Sequence, residues 1–299
     1  MLKSKVCGIE FDNPLLLAAG VMGSTASSLN WALDSGAGGV VTKSFSIESN
    51  EGYKNPTTVA VEGGILNAIG LSSQGVENFK EELEKVNGIT IASIYGSNPS
   101  EFEFIVGEIN DLVDCIELNV SCPHAMCGYG SSIGVNPELT QEIVEASKKS
   151  SKVPIWTKLT PNVTDIKEIA RAAEKGGSDG ITAINTVGPG MKIDIKTAKP
   201  VLYNKFGGMS GPAIKPIAIR NIWDIYTAVN IPIIGVGGIS NYEDVIEFLY
   251  AGSSLCQIGT SIMDKGLDIF NQINNDLEKY CEKNNIKSIT ELIGIAHEE

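Results

Sequence analysis

Short apolar runs recur along the chain, and most are separated by segments with helical spacing. The runs include LLLAAG (15–20), TIASIYG (90–96), CIELNVS (115–121), PIWTKLT (154–160) and PIIGVGG (232–238). Three more follow a repeated pattern: a helix end, a Gly turn and a buried strand. They are ALDSGAGGVVTKS (32–44), AAEKGGSDGITAINT (172–186) and FLYAGSSLCQIGTS (248–261). Glycine closes a helix well because it adopts the left-handed conformation at little cost. Helical patterns cover 77–86, 137–150, 165–176, 216–229 and 242–252. Strands apolar on both faces that alternate with helices predict a parallel sheet. Eight such units fit a (β/α)8 TIM barrel better than an open, doubly wound sheet. No linker or composition shift interrupts the chain, so one domain over 1–299 is expected. Two longer connections, 45–89 and 187–231, are expected to be functional loops.

Bulk properties narrow the chemistry. The chain has 299 residues, 42% hydrophobic and 20% charged, with a net charge of −13. That length can bury a full core. The acidic balance disfavours nucleic acid or an anionic membrane as a partner. No apolar run reaches membrane-spanning length, and the first residues lack an apolar signal region. A cytoplasmic location is therefore expected.

In a barrel of this kind the carboxyl ends of the strands face the active site. Those ends carry Ala19-Gly20, Lys43-Ser44, Asn119, Ser121, Cys122, Lys158, Asn185-Thr186, Gly237-Gly238 and Gly259-Thr260. A lysine ending an apolar strand must find a partner or shift its pKa. The plain alternative is that each lysine pairs with a local carboxylate. GVGGIS (235–240) and QIGTSI (257–262) each lie between a strand and a helix, where backbone N–H groups can meet a phosphate. Neither a P-loop nor a dinucleotide fingerprint is present. A mononucleotide-sized ligand is the better fit.

Cys122 and Cys127 flank His124. A metal site would need more ligands at short spacing. The only other histidine is His297, which makes a Cys–His nucleophile a poor reading. A thiol acting as general base and a merely buried cysteine both remain open.

Several longer motifs carry a resemblance. ELNVSCPH, LNAIGL (66–71), KLTPNVTDI (158–166), INTV (184–187), GGMSGPAIKPIAIR (207–220) and GVGGI resemble those of the flavin-dependent dihydroorotate dehydrogenases, in the same order over nearly the whole chain. The chain is similar to the class 1 enzymes, most of all to the NAD-linked type 1B. DIKTAKPVL and GPAIKP support that subtype.

The resemblance implies FMN at the top of the barrel. Its phosphate would lie on Gly237-Gly238 and Gly259-Thr260, and Lys158 would contact the flavin. Ala19, Gly20, Lys43, Ser44, Asn119, Ile184, Gly208, Ser210 and Gly211 would complete the cofactor contacts. Lys43, Asn67, Asn119, Asn185 and Thr186 would bind dihydroorotate or orotate, with the N–H groups of Gly70 and Leu71 on its carboxylate. Cys122 would be the base. The resemblance also implies a homodimer within a heterotetramer, in which a separate subunit carries FAD and a [2Fe–2S] cluster.

His124 departs from the family, which commonly has Asn there. It could bond the pyrimidine or cap its loop. SCPH also occurs in dihydropyrimidine dehydrogenases, which reduce uracil and thymine and form the main alternative. Those relatives carry an acidic residue where this chain has Ile69, and they lack the Gly70-Leu71 pair. A catalytically inactive barrel would be expected to lose the base or an Asn, and an aldolase-type barrel would leave Asn67, Asn119 and Asn185 unexplained. The glycine-rich CGYGSSIG suits a loop that closes over substrate.

Overall fold

The computed structural model describes residues 1–120 and 133–298. The candidate base Cys122, with His124, Cys127 and most of the expected closing loop, lies outside the described residues. Eight parallel strands close into a barrel. In chain order they are Leu15–Leu17, Gly39–Val41, Thr90–Ile94, Cys115–Asn119, Ile155–Leu159, Gly180–Ala183, Ile233–Val236 and Ser253–Ile258. Every one falls inside a predicted apolar run, so the TIM-barrel expectation holds.

Alternation along each strand sorts the side chains into two layers. One set faces the helices. It includes Leu15, Leu17, Ile116, Leu118, Ile181 and Ile258, in the large cluster shared with helix residues such as Ile105, Ile143, Ile169 and Ile222. The other set points inward. Leu16, Val41, Ile91, Cys115, Trp156, Ile234 and Leu255 form a second cluster inside the barrel. Val6 and Phe11 join it from an antiparallel hairpin, Ser4–Val6 with Ile9–Phe11. Phe11 lies 6.5 Å from Trp156, ring centre to ring centre. The hairpin thus closes one end of the barrel with apolar side chains and leaves the strands' carboxyl ends open.

The five predicted helices appear as Val76–Leu83, Pro137–Ser150, Ile166–Lys175, Lys215–Tyr226 and Tyr242–Tyr250. Their starts follow local chemistry. Asn136, Asp165 and Asn241 each accept a first-turn N–H, and Asp244 completes a capping box with Asn241. Such caps satisfy donors that the helix itself cannot. No helix among the described residues is long and apolar enough to cross a membrane.

Beside the helices predicted within them, the two long connections also contribute strands that the sequence did not predict. Thr58–Val61 and Gly64–Asn67 come from the first connection. Val187–Met191 and Phe206–Ser210 come from the second. Together they form one four-stranded antiparallel sheet. Backbone pairing between segments far apart in sequence satisfies the amides that a loop would leave exposed. The pairing sets Gly208 opposite Asn67 and Ser210 opposite Ile65. Asn67, Gly208 and Ser210 all reach the cavity described below.

Candidate active site

A cavity of about 470 Å³ opens at the carboxyl ends of the strands, walled on one side by the four-stranded sheet. Every described candidate residue lines it. From the strand ends come Ala19, Gly20, Lys43, Ser44, Asn119, Lys158, Ile184, Asn185, Thr186, Gly237, Gly238, Gly259 and Thr260. From the two long connections come Asn67, Gly70, Leu71, Gly208, Ser210 and Gly211. None of the described cysteines lines it. Cys115 and Cys256 are fully buried, and burial pushes both thiols well up. They behave as small apolar core residues.

The two lysines resolve differently. Lys158 is buried, and its Nζ lies 3.2 Å from Glu117 Oε1. It also donates to Gln257 Oε1 at 3.4 Å, while Gln257 Nε2 donates to Glu117 Oε2 at 2.8 Å. For Lys158 the plain pairing reading is therefore correct, and the pair sits in the wall of the cavity. Glu117 is wholly buried, so neither charge in this pair could stand alone. Lys43 has no carboxylate partner among the described residues. It donates to Ser72 Oγ at 2.6 Å, and burial lowers its pKa from 10.5. An anion drawn into the cavity would reverse that shift.

Sequence reading missed Glu117 and Gln257. The signal was present. Glu117 stands two residues before Asn119, and Gln257 two before Gly259, so each pair shares one strand face. An acid and an amide on the inward face of apolar strands mark a buried polar cluster.

A second network fixes the asparagines. Asn119 Nδ2 donates to Ser44 Oγ at 3.1 Å, and Ser44 bonds Ser93 at 2.8 Å. Asn185 Nδ2 donates to Asn119 Oδ1 at 3.3 Å, while Asn185 Oδ1 accepts from the Thr186 N–H at 2.9 Å. Such chains orient side-chain amides that can both donate and accept. That chemistry suits a flat ring with amide edges.

Two groups of backbone donors face the same cavity. The N–H groups of Gly238, Gly259 and Thr260 have no acceptor among the described residues. Gly238 has φ +81°, and a Cβ there would lie 2.8 Å from the Gly211 carbonyl oxygen. Only glycine lets these loops approach so closely. The N–H groups of Gly70, Leu71 and Ser72 are likewise without acceptors among the described residues. Gly70 and Leu71 both have positive φ, +77° and +55°. Successive amides held in turn conformations can make an anion-binding concavity. The cavity therefore joins two sets of donors without an acceptor among the described residues, two lysines and a row of amides.

Known proteins resemble the chain over its whole length. The family model described as dihydroorotate dehydrogenase matches residues 1–281. A Methanothermobacter thermautotrophicus protein named dihydroorotate dehydrogenase B (NAD(+)), catalytic subunit, is 56% identical over 100% of this chain and 99% of its own. Proteins of the same name from Methanocaldococcus jannaschii and Pyrococcus abyssi are 49% and 47% identical. They cover 100% and 99% of this chain, and each is itself covered to 99%. These relatives bear out the resemblance to the NAD-linked type. A solved structure of the Eimeria tenella enzyme DHODH with ferulenol superposes with a TM-score of 0.87. It covers 100% of this chain and 89% of that one at 20% identity, and it shares the fold. By the family model and these full-length relatives, the chain belongs to the dihydroorotate dehydrogenase family.

Proposed function

We propose that this protein is an FMN-dependent catalytic subunit that oxidises dihydroorotate to orotate in pyrimidine biosynthesis. The observation that carries the reading is the pairing of two donor groups in one cavity. The free N–H groups of Gly238, Gly259 and Thr260 suit a phosphate, and those of Gly70 and Leu71, with Lys43, suit a carboxylate. FMN carries the first anion and dihydroorotate the second. The cradle fits FMN on its donor chemistry, since free amides beside glycines bind phosphate without bringing in charge.

Bound FMN would supply the hydride acceptor for C6 of dihydroorotate. The chain's own residues do the rest. Cys122 takes the proton from C5, so that the C5=C6 double bond forms as the hydride leaves. Asn67, Asn119, Asn185 and Thr186 hold the ring by its amide edges. Lys43 and the Gly70-Leu71 amides hold the carboxylate. Lys158, with Ala19, Gly20, Ser44, Ile184, Gly208, Ser210 and Gly211, would surround the flavin, and the Lys158 ammonium would place a cation beside it.

The relatives' name, an NAD(+)-linked catalytic subunit, supports onward transfer of electrons to NAD through a separate subunit; that subunit would bear FAD and a [2Fe–2S] cluster. We place the chain as one catalytic domain in a cytoplasmic homodimer within a heterotetramer. Exposed apolar side chains on the second connection support a partner there. Met191, Ile193 and Tyr203 are more than half exposed, and Ile195 is 93% exposed. Clusters of this kind mark interaction surfaces.

Ile69 and the amides beside it favour a carboxylated substrate over dihydrouracil, because no acidic side chain repels the carboxylate at that position. The test is substrate choice by the FMN-loaded chain with an artificial electron acceptor. Dihydroorotate should be oxidised with a kcat/KM at least about 100-fold above dihydrouracil, the scale expected when buried donors lose their partner. Preference for dihydrouracil would move the chain to the pyrimidine-reducing alternative.

A further inference from the structure

The amides of Gly70 and Leu71 can meet a carboxylate only if their peptide planes are held still. Two side chains outside the cavity hold the planes of the Leu71 and Ser72 amides, while the Tyr53 N–H, donating to the Ile69 carbonyl at 2.9 Å, holds that of Gly70. Asn50 Nδ2 donates to the Gly70 carbonyl at 2.9 Å and to the Leu71 carbonyl at 3.0 Å. The Tyr95 hydroxyl donates to the same Leu71 carbonyl at 2.8 Å. Neither Asn50 nor Tyr95 lines the cavity. Fixing the carbonyl of a peptide fixes the N–H on its other side, since the peptide group is planar. The Gly70 carbonyl shares its plane with the Leu71 N–H, and the Leu71 carbonyl with the Ser72 N–H.

Both clamps are themselves anchored. Asn50 and Ser73 exchange backbone hydrogen bonds, each at 2.8 Å, and Asn50 Oδ1 accepts from the Gly52 N–H at 3.1 Å. Tyr95 directly follows the third barrel strand, and its N–H donates to the Phe45 carbonyl at 3.0 Å. The turn they hold is one the chain adopts reluctantly. Leu71 has φ +55°, a region that costs a non-glycine residue energy unless its surroundings hold it there. Gly70, with φ +77°, packs against Tyr53, whose ring a Cβ would approach to 2.7 Å. Ser72, the next residue, receives the Lys43 ammonium. One short turn therefore carries both the amides and the hydroxyl that places the cation.

We infer that Asn50 and Tyr95 are positioning residues that hold the Gly70–Ser72 turn as a rigid receptor for the substrate carboxylate and so set the preference for carboxylated pyrimidines. This rests on the dihydroorotate reading above. Each clamp acts through hydrogen bonds to carbonyls, so its removal loosens the receptor without touching the flavin or the ring-binding asparagines.

The test uses the full chain loaded with FMN, with orotate and uracil as probes. Orotate carries the carboxylate and uracil lacks it. Losing the two Asn50 bonds should weaken orotate about tenfold, and losing the single Tyr95 bond about threefold, at ordinary hydrogen-bond worth. In Asn50→Ala and Tyr95→Phe the orotate dissociation constant rises by those factors. The uracil and FMN constants stay put, and in turnover the KM for dihydroorotate rises while kcat holds. Tyr95→Phe removes one oxygen atom only, so it keeps the test sound if Asn50→Ala folds poorly. Unchanged orotate binding in both variants overturns the proposal. So does a parallel loss of orotate and uracil, which would mean a general loosening of the site. If the unmodified FMN-loaded chain binds no orotate at all, the dihydroorotate reading itself falls, and this inference with it.

Discussion

Replacing Cys122 with alanine is expected to slow reduction of the bound flavin by dihydroorotate about 10²- to 10⁴-fold, the usual contribution of a positioned general base. Removing a proton from C5 needs an acceptor beside the ring. Asn119, three residues earlier in the chain, lines the cavity. The described cysteines cannot substitute. Cys115 and Cys256 are sealed in the core with raised pKa values. Cys7 packs at the closed end of the barrel against Trp156, and burial raises its pKa as well. With the Cys122 thiolate as the proposed base, the rate for the unmodified chain should climb with pH until the thiol is ionised, around pH 8.5 for an ordinary cysteine. The alanine variant should lose that limb while binding orotate normally. Rapid mixing with absorbance detection reads both. An alanine variant as fast as the parent would remove Cys122 from the reaction.

The second large effect concerns Glu117. Its removal as Glu117→Ala leaves the Lys158 ammonium and the Gln257 amide buried without their acceptor. Breaking a buried pair on one side costs about 3–5 kcal/mol, mainly because the remaining charge stays desolvated. Urea unfolding should show that loss as a lower midpoint with an unchanged slope. The double variant Glu117→Leu/Lys158→Met removes both charges and should recover much of it. It should nonetheless bind FMN more weakly, because Lys158, the cation proposed to contact the flavin, is gone. If the single and double variants are equally unstable, the pair is not the cause.

These two residues also mark how far the sequence could be read. The eight strands were legible because strands of a closed parallel barrel are apolar on both faces and short, and each is punctuated by glycine. The site residues at strand ends followed from that placement. Asn119, Lys158, Gly237 and Thr260 needed only the rule that strand carboxyl ends face the active site. Glu117 and Gln257 were hidden by the same rule, because attention to strand ends passed over residues one layer deeper. The four-stranded sheet was not legible. Its strands pair Asn67 with Gly208 across a separation in which no local pattern records a partner, and edge pairing of that kind is decided by the assembled fold. Asn50 and Tyr95 were invisible for a further reason. Their role exists only through the carbonyls of a turn, and no residue type announces that.

The most direct test of the central claim is a single-turnover titration. The FMN-loaded chain, free of oxygen and of any partner, is mixed with dihydroorotate while the flavin absorbance near 450 nm is followed. The account predicts that the band bleaches with one orotate formed per flavin, and that dihydrouracil leaves it intact. A flavin that stays oxidised in the presence of excess dihydroorotate would contradict it.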